Sequence, residues 1–221
     1  MFPDKVIRSN RKTVSLQINE NAELVVRVPA LLSTESILRI VEQNSNWIAR
    51  NRRTMLSKIS ESQHKNFTEN EEFLYLGKSL KLKNSRKLND QLHIEEDHFI
   101  IGTKVLDRKK VFIEWYRNAA FLKLSERTEI IARNTGLKYS AIKITSAQKR
   151  WGSCSKNGNI NYTWRLVMAP IPIIDYVVLH ELAHTVVRNH SSRFWNIVKK
   201  NMPDYSVRQK WLRDNVFSLR I

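Results

Sequence analysis

Three of the chain's six histidines fall within eleven residues, in the stretch VVLHELAHTVVRNHSSRFW that begins at Val177. His180 and His184 are four residues apart, so on a helix their imidazoles lie one turn apart on one face, a spacing that suits a single metal ion. Glu181 sits beside His180, where its carboxylate can reach a water in an open coordination position and accept its proton. The pattern H-E-x-x-H is the arrangement of metal-dependent peptidases. Its surroundings are apolar, and burying two histidines and a glutamate there without partners is costly. The competing structural reading is two satisfied core histidines beside a surface glutamate.

A catalytic zinc takes three protein ligands and leaves its fourth position to water. His190 is the natural third ligand. It follows Asn189, which tolerates a left-handed backbone able to turn the chain back, and it precedes serines suited to cap the next helix. His64, His93 and His98 lie in or near the strand-rich first half without ligand spacing and read as surface or hairpin residues. The expected cofactor is therefore one Zn2+ ion.

These groups need a helix, a turn and a second helix to hold them. Beyond Pro170 and Pro172, IIDYVVLHELAHTVV is apolar at helical spacing; SSRFWNIVKKNM follows as a helix that Pro203 ends, and VRQKWLRDNVF reads as a last short one. Upstream, AIKIT and INYTWRLVM read as strands separated by KRWGSCSKNGN, whose Asn157-Gly158 pair suits a hairpin turn. A helix is expected from about Asp107 to Asn134, with Val111, Trp115, Ala119, Leu122 and Ile130 near one face and Gly136 to stop it. The first half is mixed, with strands dominant. Residues 14 to 28 alternate around NENAE as a hairpin closed by Pro29, and FLYLGKSLKLK and QLHIEEDHFIIG give further short strands. From Ser33, one long amphipathic helix is expected, with QNSN as its weak point. The fold class is α+β: a strand-rich N-terminal region with one long helix at 1–104, and a catalytic domain at 105–221 built on the H-E-x-x-H helix and antiparallel strands.

The chain has 221 residues, enough for one well-buried core or a catalytic domain with an appendage, and its 42% hydrophobic content supports a packed interior. Nothing in it reads as a leader or membrane span, and its single cysteine, Cys154, fits a reducing compartment. A cytoplasmic protein is the expectation. With 38 Lys+Arg against 21 Asp+Glu, the formal charge of +17 attracts polyanions, DNA among them, although the basic residues are spread along the chain as on ordinary solvated faces.

Taken together, KRWGSCSKNGNINYTWRLVMAP, IDYVVLHELAHTVVRNHSSRFW and MPDYSVRQKWL resemble the YgjP-like metallopeptidase family, a relative of the WLM and SprT-like zincins. The likeness extends to RSNRKTVSLQI, LVVRVP and YLGKSLKL. It implies a zincin-like hydrolase of protein or peptide substrates, with His180, His184 and His190 as metal ligands and Glu181 as general base. Thr163 and Thr185 depart from the residues common in relatives, which bears on substrate preference and not on the metal set. Val187 stands where metzincins carry glycine, and Met202 is in no recognisable Met-turn, so the chain does not read as a metzincin.

In zincins an edge strand beside the active-site helix pairs with extended substrate. Here Gly152, Ser153 and Cys154 could do so, with Gly152 permitting close approach; alternatively, Arg150 and Trp151 serve only to pack that strand on the helix. Candidates for stabilising the oxyanion are Arg150, Tyr162, Arg165 and Tyr205. Asp175 is a candidate to orient a ligand or to cap the helix. Cys154 is a poor nucleophile, because metal-bound histidines are poor bases. Two rival functions share the metal site: a nucleotide phosphoanhydride hydrolase, against which the missing Gly-rich loop counts, and a DNA-associated protease or nucleic-acid-binding module. The N-terminal strands are a candidate lid.

Overall fold

The computed structural model describes residues 2–19, 21–63, 65–86 and 91–221; His64 and part of KLKNSRK therefore lie outside the described residues. Two compact units emerge, Met1–His64 and Lys65–Ile221.

In the first unit, β1 (Lys5–Ser9) pairs in parallel with β3 (Leu24–Pro29), which pairs antiparallel with β2 (Ser15–Ile18). The expected hairpin is β2–β3. The expected long helix is two, α1 (Thr34–Gln43) and α2 (Ser45–Gln63), meeting at Asn44. Ser33 caps α1, its hydroxyl accepting from the Ser36 amide at 3.2 Å. Leu24, Val26, Val28, Ile37, Val41 and Ile48 form this unit's core.

The second unit holds the remaining helices. β4 (Glu72–Tyr75), β5 (Lys78–Ser85), β6 (Leu92–Glu95) and β7 (His98–Gly102) form a sheet of order β4-β5-β7-β6. Phe73, Leu82, Phe99 and Ile101 from this sheet share one core with Phe112 and Tyr116 of α3 (Arg108–Thr135). The compact units thus divide at His64, N-terminal to the boundary expected at 104/105, because the aromatic residues on either side of that boundary pack on each other: Phe73 and Phe112 have ring centroids 4.3 Å apart.

Asp107 caps α3 by accepting from the Lys110 amide, and Gly136 closes it in the left-handed conformation at φ 72°. Its buried stripe is Phe112, Tyr116, Ala120, Leu124, Thr128 and Ala132. The expected face lies too far round the helix, and Leu122 is 70% exposed. Thr128 hides the stripe in the sequence because it reads as polar, but its hydroxyl is satisfied by the Leu124 carbonyl at 2.6 Å.

β8 (Ala141–Thr145), β10 (Asn159–Thr163) and β9 (Gly152–Cys154) form a three-stranded sheet of order β8-β10-β9. β10 runs parallel to β8 and antiparallel to β9, with the Asn157-Gly158 turn joining β9 to β10. The strand expected through Met168 stops at Thr163, and Trp164–Met168 forms a 3-10 helix. Then come α4 (Ile171–Ala183), α5 (Ser192–Asn201) and α6 (Tyr205–Asp214). Ile144, Ile160 and Tyr162 turn the inner face of the sheet into the core, which the apolar residues of α4 complete. Among the described residues no helix is long and apolar enough to cross a membrane.

Candidate active site

α4 ends at Ala183 and is capped by His184, so His180 and His184 occupy its C-terminal turn and cap. The chain then turns back, and His190 meets them. Its Nε2 lies 3.0 Å from Nε2 of His180 and 3.2 Å from Nε2 of His184. Two imidazoles on one tetrahedral zinc, at about 2.0–2.1 Å each, have nitrogens roughly 3.3 Å apart, so the three side chains fit one ion. With no cation between them, converging ring nitrogens would oppose lone pairs or N–H groups. Nδ1 of His184 is 3.0 Å from the Val187 carbonyl, which fixes Nδ1 as the donor and leaves the Nε2 lone pair facing inward. Burial, with the other two histidines adding, holds His180 down to about 3, and burial also lowers His184. Both are therefore neutral at neutral pH, as ligation requires.

Phe194 of α5 supports the triad. Its ring centroid lies 4.8, 4.4 and 4.8 Å from those of His180, His184 and His190. Trp195 stacks on His190 at 5.7 Å, and Tyr205 of α6 stacks on Trp195 at 5.2 Å. His190 stands on irregular chain, so this aromatic packing supplies the rigidity a helix would have given.

Glu181 is only 5% exposed. Burial raises its carboxyl to about 7, against the opposing pull of Arg150. Gly152 of β9 lies against it: a side-chain carbon at residue 152 would fall 2.6 Å from both Cγ and Oε1 of Glu181. Glycine is needed there for close approach.

A cleft of about 430 Å³ opens over His180 and Glu181. Its walls come from Arg150, Trp151 and Gly152, from Tyr176 and Val177 of α4, and from Gln209, Leu212 and Arg213 of α6. Burial pushes the Tyr176 hydroxyl up to about 12, so it keeps its proton.

Of the candidate substrate contacts, Arg150 and Gly152 line this cleft, and Ser153 and Cys154 continue along β9. Tyr162 does not reach it: the residue is fully buried and its hydroxyl lies 3.1 Å from that of Thr128. Nor does Arg165 line it; its guanidinium lies 4.2 Å from the Trp164 ring centroid and donates to the Ser146 carbonyl at 3.2 Å. Neither residue therefore lines the cleft. Strand alternation turns Tyr162 inward, and Arg165 sits in the 3-10 helix that replaces the expected strand. Asp175 orients no histidine; it accepts from Nε and Nη2 of Arg127 at 2.7 and 2.9 Å, tying α4 to α3. Burial raises the Cys154 thiol, which fits its reading as a poor nucleophile. His93 and His98 lie on the β6–β7 hairpin. The sequence reading missed Phe194, Trp195, Gln209 and Arg213. The aromatic pair four residues after His190 was a usable signal, whereas nothing local marks α6 as a cleft wall.

A family model described as YgjP-like, metallopeptidase domain, matches residues 12–215. No curated protein matches. Among solved structures, the chain is similar to the metallopeptidase zymogen of Pyrococcus abyssi abylysin at 21% identity and a TM-score of 0.38, covering 41% of this chain and 93% of that one. It is also similar to the metallopeptidase zymogen of Methanocaldococcus jannaschii jannalysin at 18% identity and a TM-score of 0.38, covering 42% and 96%.

Proposed function

The chain belongs to the YgjP-like metallopeptidase family, and from that premise we propose that it is a zinc peptidase in which His180, His184 and His190 hold the ion and Glu181 is the general base. The observation that carries this is the convergence of three imidazole Nε2 atoms beside a buried carboxylate. Three neutral imidazoles suit zinc. When bound, the ion polarises the scissile carbonyl and acidifies the attacking water.

The remaining work falls to this chain's own groups. Glu181 takes a proton from the water and returns it to the departing amine, which needs a carboxyl able to hold a proton near neutrality. Its burial supplies that tendency, and a cation on the imidazoles pulls the other way. The outer edge of β9 receives extended substrate by strand addition at Gly152, Ser153 and Cys154, since among the described residues β9 pairs with β10 alone. Arg150 and Arg213 line the cleft as its cationic groups, either of which could serve as oxyanion partner.

The test is to incubate zinc-loaded wild type and Glu181→Gln with an unstructured protein, with and without single-stranded DNA, and to identify products by mass spectrometry. Wild type should release new peptides while Glu181→Gln, with its metal retained, loses several orders of magnitude in rate. Equal cleavage by both would remove Glu181 from the chemistry. Dependence on DNA would assign a purpose to the positive charge.

A further inference from the structure

Beside the catalytic cleft lies a second, polar cavity of about 180 Å³, and Arg150 and Gly152 line both. Its other walls are Ala147 together with Lys143 and Thr145 of β8, Asn161 and Thr163 of β10, and Ser153 of β9. Lys143, Thr145, Ser153, Asn161 and Thr163 are the outward set of the sheet. Lys143 pairs with Asn161 and Asn161 with Ser153, forming one cross-strand row, while Thr145 pairs with Thr163 in the next. Their neighbours Ile144, Ile160 and Tyr162 face the core instead.

The chemistry of this cavity is one-sided. It holds two cations, two threonine hydroxyls, a serine hydroxyl and an amide, and no carboxylate lines it. Among the described residues Lys143 and Arg150 make no ion pair. The hydroxyls of Thr145 and Thr163 are turned to the carbonyls of Tyr162 and Ala147 at 3.2 and 2.8 Å, and the Asn161 amide donates to Ser153 at 3.3 Å. Lys143 thus has no ion-pair partner, and Arg150 has only the distant pull of the Glu181 carboxyl.

Register connects the cavity to the substrate. A strand added along β9 extends the row Lys143–Asn161–Ser153 by one position, and the side chain opposite Ser153 falls on that same outward face at cross-strand contact distance. Gly152, the neighbour of Ser153, lies against Glu181, so this substrate residue is close to the scissile bond. The geometry points to a specificity subsite here for an acidic substrate side chain, Asp or Glu, held by Lys143 and Arg150. This deepens the peptidase reading above and rests on strand addition at β9. The subsite would also give part of the +17 charge a local role in choosing peptides.

The experiment has two arms that separate the subsite from the peptidase reading. In the first, zinc-loaded full-length protein digests a mixed peptide library, and cleavage sites are aligned from mass spectra. Asp and Glu should be enriched at one fixed position beside the scissile bond, and Lys143→Glu should abolish that enrichment. Lys104→Glu, an equal charge change at an exposed site elsewhere, should leave the profile as in wild type. In the second arm, binding of a fluorescein-labelled acidic peptide and its Gln counterpart to Glu181→Gln is followed by anisotropy. The acidic peptide should bind roughly tenfold tighter, the scale of two partly exposed ion pairs, and the difference should shrink to about threefold, the share of the one cation left, when Lys143→Gln is added. Cleavage with no acidic enrichment, or enrichment that Lys143→Glu does not move, overturns the subsite while leaving the peptidase. Acid-selective binding weakened by Lys143→Gln, in a protein that cleaves nothing, upholds the subsite and sinks the peptidase reading.

Discussion

At the residue scale, the site depends on how tightly Glu181 is enclosed. Gly152→Ala would put a carbon 2.6 Å from its Cγ, and the movable partner is the glutamate side chain. The substitution should therefore displace the base more than it unfolds the protein. A loss of about 10²-fold in turnover is expected, with little change in denaturation midpoint; turnover like wild type would mean that Glu181 has room to spare. A second prediction concerns the metal-free protein, where burial raises Glu181 from 4.5 to about 7. Below pH 4.5 folded and unfolded chains both hold this proton. Between 4.5 and 7 only the unfolded chain releases it, so stability falls as pH rises through that window and stays lower above it. Glu181→Gln escapes this loss. Relative to wild type, the metal-free variant should gain about 3 kcal/mol in chemical denaturation between pH 4 and pH 8, and equal pH profiles would show that the carboxylate is not desolvated.

Among elements, α4 is the scaffold that matters, and its position is set from outside the site. The bidentate contact of Asp175 with Arg127 clamps it to α3, both side chains being mostly shielded at 17% and 21% exposure. Asp175→Asn should cost about 1–3 kcal/mol of stability, the worth of hydrogen bonds to a charged group, while zinc affinity by competition titration stays as in wild type. A fall in affinity without a fall in stability would return Asp175 to the role of ligand orienter. The α4 pattern was legible in the sequence because four-residue spacing follows from helix geometry. Its end at Ala183 was not, since Val186 and Val187 carry the apolar pattern past the point where the helix stops.

For the whole molecule, each compact unit buries a hydrophobic cluster of its own. Residues 65–221 contain the three histidines, Glu181 and both walls of the cleft. This piece should fold alone, unfold in one cooperative transition and bind one zinc per chain, as read by thermal melting and metal analysis. An unfolded or metal-free product would show that the unit boundary is not a folding boundary. If it folds and turns over like the full chain, the N-terminal strands are not a lid.

The sequence by itself placed the candidate groups: His180, Glu181 and His184 follow from helical spacing, His190 from its nearness in the chain, and the β9–β10 hairpin from Asn157-Gly158, whereas Asn189 does not take the expected left-handed backbone and instead accepts from the Ser191 amide through Oδ1 at 3.3 Å. Local rules suffice for these, because neighbours in the chain must be neighbours in space. Only the tertiary structure decided which other residues share the site. Phe194 lies beneath the triad, Arg213 in the cleft wall, and Lys143 in one row with Ser153. The same packing removed Tyr162 and Arg165 from the cleft. These outcomes depend on how strands align and which face a helix turns inward, and those are fixed by burial across the chain, where sequence spacing carries no distance information.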